Sequence, residues 1–248
     1  MKQLHKVLAG VAVAAAFATS HAAMINVGGV VFDPDSSFDF SGTSDSITQS
    51  INPVTGELTG FGTVTKLNKT LPSFFAPGAE LTLQYSGFFP SVENAIPGLG
   101  GGGTQIQYSG GFIEFYIDNT PETNHGTNLT SANTGDGALW LSLAGHEVGG
   151  ISFVGTNSFP FFLQGAGLAD VIGGLAATNI DTNTQPNGSD LKFSTTFTSF
   201  VNPRSPLDSN GSGTLTGDSG NAIPEPQSLA LLGMGLLGLA VSRRRKSV

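Results

Sequence analysis

"ELTLQYSGF", residues 80 to 88, alternates apolar and polar side chains with a period of two. In an extended chain Leu81, Leu83 and Tyr85 share one face, and Thr82, Gln84 and Ser86 share the other. A helix would scatter the same residues around its circumference, so the stretch predicts a half-buried strand. "FIEFYID", residues 112 to 118, repeats the pattern, with Ile113, Phe115 and Ile117 opposed to Glu114, Tyr116 and Asp118. "ALWLSLAG" (138–145) places Leu139, Leu141 and Leu143 on one side, and "LKFSTTFTSF" (191–200) does so with Leu191, Phe193 and Phe197. A one-residue slip would turn each apolar set to water, so burial fixes the register. Further strands are expected near 28–32, 57–67, 149–155, 158–163 and 212–216. Short alternating runs separated by Gly, Ser, Thr and Asn clusters predict a mainly β body, an antiparallel β-sandwich of jelly-roll type.

One segment has a different period. In "GLADVIGGLAATN" (167–179), Leu168, Val171, Ile172 and Leu175 fall at i, i+3, i+4 and i+7. That spacing predicts one short helix over 168–177, lying on a sheet face or across one end. "PGLGGGGT" (97–104) cannot nucleate regular structure and reads as a loop.

Both ends of the chain have their own grammar. Lys2, His5 and Lys6 precede the apolar run "VLAGVAVAAAF" (7–17), and small residues follow up to Ala23. This is the order of a secretory signal, expected as a helix within residues 1–23. At the other end, Pro224-Glu225-Pro226 interrupts regular structure. An apolar run from Leu229 to Val241 follows, then Arg243, Arg244, Arg245 and Lys246. Thirteen helical residues rise about 20 Å, short of a hydrocarbon core of about 30 Å. Snorkelling of the basic stems makes up the difference, so a single marginal transmembrane helix is expected, with its cations on the cytoplasmic side. The domain plan is therefore a signal at 1–23, a β body at 24–205, a flexible linker at 206–221 and an anchoring segment at 222–248.

Between the ends, Lys66, Lys69, Lys192 and Arg204 are the only strong cations, against the 18 acidic residues less Glu225, a net charge of −13. Such a body repels nucleic acid and anionic lipid and favours cations or simple solvation. The chain has no cysteine, which excludes disulfides, thiolate metal sites and a Cys nucleophile. His146-Glu147 opens like a zinc-protease helix, but Gly150 stands where the second histidine belongs. Gly-x-Ser-x-Gly and phosphate-loop patterns are missing from the sequence. Asp33, Asp35 and Asp39 are close enough in sequence to be candidate calcium ligands, although Phe38 stands where an EF-hand loop needs glycine and such residues more often form turns. Trp140 lies opposite the leucines of its strand, among small residues. It is the candidate ring for stacking on a sugar, unless that sheet face is covered.

Pro224-Glu225-Pro226, a glycine-containing apolar helix and a terminal arginine cluster together resemble the PEP-CTERM sorting domain. The resemblance covers about the last 25 residues. It implies a host that is a Gram-negative maker of exopolysaccharide. It also implies recognition by exosortase, a membrane-embedded, cysteine transpeptidase-like enzyme that reads the Pro-Glu-Pro motif and removes the helix and basic end. "VGGVVFDPDSSFDF" (27–40), "FYIDNTPETN" (115–124), "GALWLSLAGH" (137–146) and "LADVIGGLAATNIDTNT" (168–184) resemble segments of flocculation-associated PEP-CTERM proteins. That resemblance brings no catalytic residue. The combined expectation is an exported, non-catalytic protein without a required cofactor, held transiently in the inner membrane and then placed at the cell surface or in the matrix. Its partners would be an exosortase-type enzyme and exopolysaccharide. The alternatives are a lectin-like module with a defined groove and, behind it, a secreted glycan-active enzyme.

Overall fold

The computed structural model describes residues 24–34, 40–68, 74–75, 77–96, 103–120, 129–158, 162–199 and 208–220. All of them lie in one unit, Met24–Asn221. Neither the signal segment nor the C-terminal helix falls among the described residues, and no described helix is long and apolar enough to cross a membrane.

Except at 158–163, which is divided between a strand ending at Ser158 and another beginning at Phe162, the strands that the alternation predicts are present. They are β1 (Ile25–Val27), β2 (Val30–Phe32), β3 (Phe40–Ile51), β4 (Leu58–Thr63), β5 (Lys66–Leu67), β6 (Glu80–Ile96), β7 (Gly103–Asp118), β8 (Ala138–Gly145), β9 (Phe153–Ser158), β10 (Phe162–Gly173), β11 (Leu191–Ser199) and β12 (Asp208–Gly217). Their arrangement corrects the sandwich expectation. From β3 the main sheet runs through β4, β6, β7, β8, β10, β11 and β12, every pair antiparallel, and β12 returns to pair with β3. The result is a closed eight-stranded barrel of up-and-down topology. β9 continues the position of β8 between β7 and β10, and β5 continues that of β4 beside β3. Sandwiches and barrels demand the same in-out alternation along each strand, so the pattern alone does not separate them. The separation comes from the closing pairs Phe193↔Leu215 and Leu215↔Gly42, which leave this wall without a free edge.

One row of side chains shows how the interior is built. Gln49, Gly60, Tyr85, Ile113 and Leu143 are successive partners across five strands. A Cβ on Gly60 would collide with the Tyr85 ring, so glycine lets that ring lie across the neighbouring strand. Gly165 and Gly167 admit Phe153 and Phe193 in the same way. Those two rings stack at 5.5 Å with 10° between planes, and Phe88 meets them edge-on at 5.8 and 6.1 Å. Aromatic bulk opposite strand glycines both fills the barrel and allows the sheet to curl.

β1 and β2 form a separate hairpin. Gly28 and Gly29 connect Val27 to Val30 with φ of 61° and 95°, the positive values that a two-residue hairpin turn requires. Its residues Val30 and Phe32 are buried, and Val31 N–H donates to Phe74 O at 2.7 Å.

Two more expectations need correction. The helical spacing at 168–177 belongs instead to β10, whose Ala169 pairs with Leu191 on one side and Gly145 on the other. A register shift between Val171 and Gly173 turns the chain, and the only described α-helix, α1, is Ala177–Ile180. Ladder bonds on both sides outweigh an accidental period of 3.6, and Ile172 and Leu175 are left exposed. The segment 206–221 is not a free linker, because β12 takes up most of it. Only Leu215 of that strand supplies large apolar bulk to the core. The strand is held instead by two full ladders, and for that reason composition conceals it.

Candidate functional site: an outer groove and the sorting tail

Trp140 is fully buried and offers no face for a sugar, which corrects the stacking expectation. The cause is a bulge. Phe115 pairs with Leu141 and Tyr116 with Leu139, so Trp140 is the extra residue and the alternation of "ALWLSLAG" breaks there. Leu139 is left 37% exposed while Trp140, Leu141 and Leu143 leave solvent entirely. The indole N–H donates to Val27 O at 2.9 Å, and Phe32 meets the ring edge-on at 6.4 Å. The covering element is therefore the β1–β2 hairpin rather than a helix at 168–177.

Asp33 lies at the end of β2, where its backbone exchanges two hydrogen bonds with the Asn68 side chain at 3.2 and 3.3 Å. Asp35 and Asp39 lie outside the described residues, as do Pro224, Glu225, Pro226, Arg243, Arg244, Arg245 and Lys246. Among the described residues no three acidic or histidine side chains are grouped as metal ligands.

His146-Glu147 opens a small excursion of the barrel wall between β8 and β9. Gly149 and Gly150, with φ of 64° and 83°, turn the chain, and Val148 pairs with Ile151. His146 Nδ1 lies 2.8 Å from both Asp170 oxygens, and Glu147 accepts from Gly110 N–H at 2.8 Å. Both side chains thus fasten the excursion to the wall, which agrees with a turn rather than a zinc-protease helix.

A concavity of 320 Å³ lies on the outside of the barrel, across β3, β4, β6 and β7. Two rows of outward residues line it. Thr48, Phe61, Gln84 and Glu114 are successive partners in one row. In the other, Ser50 pairs with Thr59 and Ser86 pairs with Phe112. The hollow has a local cause. Leu58 pairs with Phe88 and Gly60 with Tyr85, so Ser86 and Gly87 together oppose the single residue Thr59. This bulge bends the wall, and Glu57 secures it by accepting from Gly87 N–H at 2.9 Å. Thr48, Ser50, Thr59 and Ser86 line the hollow together with Phe61 and Phe112.

Electrostatics in the groove centre on Glu114. One carboxylate oxygen accepts from Tyr116 O–H at 2.8 Å; among the described residues the other has no protein partner. Burial, with the hydrogen bond to Glu114 and its negative charge, raises Tyr116 to a pKa of about 12. Gln84 is held by donating to Ser131 O and, at 3.0 Å, to Thr134 Oγ1. Of the two strong cations among the described residues, Lys66 and Lys192, neither lines the groove.

Sequence reasoning assigned Gln84, Ser86 and Glu114 to the solvent face, and the structure agrees. The groove escapes a reading that takes Trp140 as the candidate stacking ring. The available signal was Phe112, an aromatic in phase with Glu114 and Tyr116 on the polar side of "FIEFYID". Phe112 is 50% exposed.

Residues 222–246 match the PEP-CTERM protein-sorting motif. The motif implies an exported protein that is held transiently in the membrane and recognised by an exosortase-type processing enzyme. No curated protein and no solved structure matches the chain.

Proposed function

We propose that this protein is a non-catalytic component of the cell surface or extracellular matrix that promotes cell aggregation through contacts with exopolysaccharide. The observation that carries the reading is the sorting motif at 222–246 behind an acidic, export-compatible body. The wall supports it: β3, β11 and β12 direct rows of Ser and Thr outward, as in the pair Ser194–Thr214 at 2.8 Å. Such a surface makes many weak hydrogen bonds to hydroxylated polymers, each of modest net value. The similarity of four body segments to flocculation-associated proteins points the same way. In this role Pro224, Glu225 and Pro226 serve the processing enzyme, and the barrel is the delivered part.

The test compares a strain lacking the gene with its parent. Floc formation and retention of exopolysaccharide by washed cells should both fall, and the intact gene should restore them. A deletion strain that flocculates like its parent would overturn the reading.

A further inference from the structure

We propose that the outer groove across β3, β4, β6 and β7 is a binding site for a neutral pyranose unit of a polysaccharide, with Phe112 as the stacking ring and Glu114 and Gln84 taking hydroxyl groups. The proposal rests on the polysaccharide-contact reading above and gives that contact a defined place.

The outside of a barrel is convex, so a hollow of 320 Å³ there needs a specific cause, which the Thr59/Ser86–Gly87 bulge supplies. The volume is at the small end of ligand pockets and suits a monomer unit of a polymer that continues into solvent. Its chemistry is mixed in the way a pyranose requires. Sugar rings carry an apolar C–H face and a polar rim, and the half-exposed Phe112 supplies an apolar plane for the former. For the rim, Glu114 offers an unpartnered carboxylate oxygen, fixed in direction by the Tyr116 hydroxyl on its other oxygen. Ser86, one of the two bulge residues and the partner of Phe112, also lines the hollow with its hydroxyl-bearing side chain. Gln84 is braced through its nitrogen by Ser131 and Thr134, leaving its carbonyl oxygen as an acceptor. A carboxylate accepting from sugar hydroxyls forms charge-assisted hydrogen bonds, stronger than neutral ones. With Glu114 present and no cation in the lining, an acidic sugar is repelled, so the ligand is neutral.

The experiment is calorimetric titration of the mature protein purified from its host with cellohexaose, mannohexaose and polygalacturonate. Saturable binding of at least one neutral hexaose is expected, without binding of polygalacturonate. Phe112→Ala should weaken that binding roughly tenfold. Glu114→Gln, nearly isosteric, should weaken it by a similar factor. Val54→Ser, on a turn where Val54 is 90% exposed, should leave it unchanged. Thermal unfolding of each variant is recorded, and Glu114→Gln keeps the test decisive if Phe112→Ala lowers stability. Binding of neither neutral probe, retention of polygalacturonate instead, or undiminished affinity in Glu114→Gln would overturn the proposal. The two proposals fail differently. If the groove is wrong, a deletion strain complemented with Phe112→Ala still flocculates fully. If the aggregation reading is wrong, the deletion strain flocculates without any complement.

Discussion

Asp190 gives the sharpest test of how the long connection between β10 and β11 is held. The carboxylate is 2% exposed and accepts three backbone N–H groups: Val171 at 2.7 Å, Thr182 at 2.7 Å and Asn183 at 2.6 Å. These bonds tie β10 to the chain just beyond α1, whose Ile180 is fully buried in the core. Asp190→Ala removes all three acceptors. Hydrogen bonds to a charged group are worth about 1.5–3 kcal/mol each. Asn183 is exposed and can turn to water, and loss of a buried charge returns part of its desolvation cost. The net loss is then about 3 kcal/mol. For a chain of this size that lowers the unfolding midpoint by about 6–12 °C. Asp190→Asn keeps one acceptor oxygen but sets an N–H donor against another, and should cost about half as much. The assay is thermal and urea unfolding followed by far-ultraviolet circular dichroism, with the urea slope checked for constancy between variants. An Asp190→Ala protein within about 0.5 kcal/mol of wild type would refute the claim that this carboxylate anchors the connection.

Three further outcomes are expected. Trp140→Ala should destabilise the barrel by about 3–5 kcal/mol, since it opens a cavity under the β1–β2 hairpin and strands the Val27 carbonyl; a variant as stable as wild type would put the ring back at the surface. Tyr116 should titrate near pH 12 in an ultraviolet absorbance titration and move down in Glu114→Gln. Because its folded value is raised above the ordinary 10.0, its contribution to stability is complete below about pH 10 and is lost as pH rises towards 12; a Tyr116 that ionises at its ordinary value would contradict the Glu114 contact. Glu225→Ala should leave the chain in the inner-membrane fraction with its basic end intact, whereas the wild type should lose Arg243 to Lys246, as read by C-terminal mass spectrometry; a mature wild-type protein that still ends at Val248 would mean that the tail is a permanent anchor.

The strand-rich class, the register of most strands and the sorting tail are legible in the amino-acid order. Each of these is local. "ELTLQYSGF", "FIEFYID" and "LKFSTTFTSF" bury Leu81, Leu83, Phe115, Ile117, Leu191, Phe193 and Phe197 as their period assigns, because only one register puts these apolar rows inside, although Thr82 of the opposite row is buried as well. Pro224-Glu225-Pro226 and its basic tail match a sorting motif that is a linear pattern, so no fold is needed to see them. Tertiary structure alone decided what depends on partners distant in sequence. Closure of the barrel needs β12, a nearly apolar-free strand, to meet β3 some 160 residues earlier, as in Gln49–Ser209. Trp140 changed role through a bulge that no alternation reveals, and Leu168 to Gly173 joined a strand because ladders on both sides outweigh a helical period. The groove arises in the same way. Thr48, Thr59, Ser86 and Phe112 come from four strands, and only the curl of the wall, bent at one bulge, gathers their side chains around one hollow.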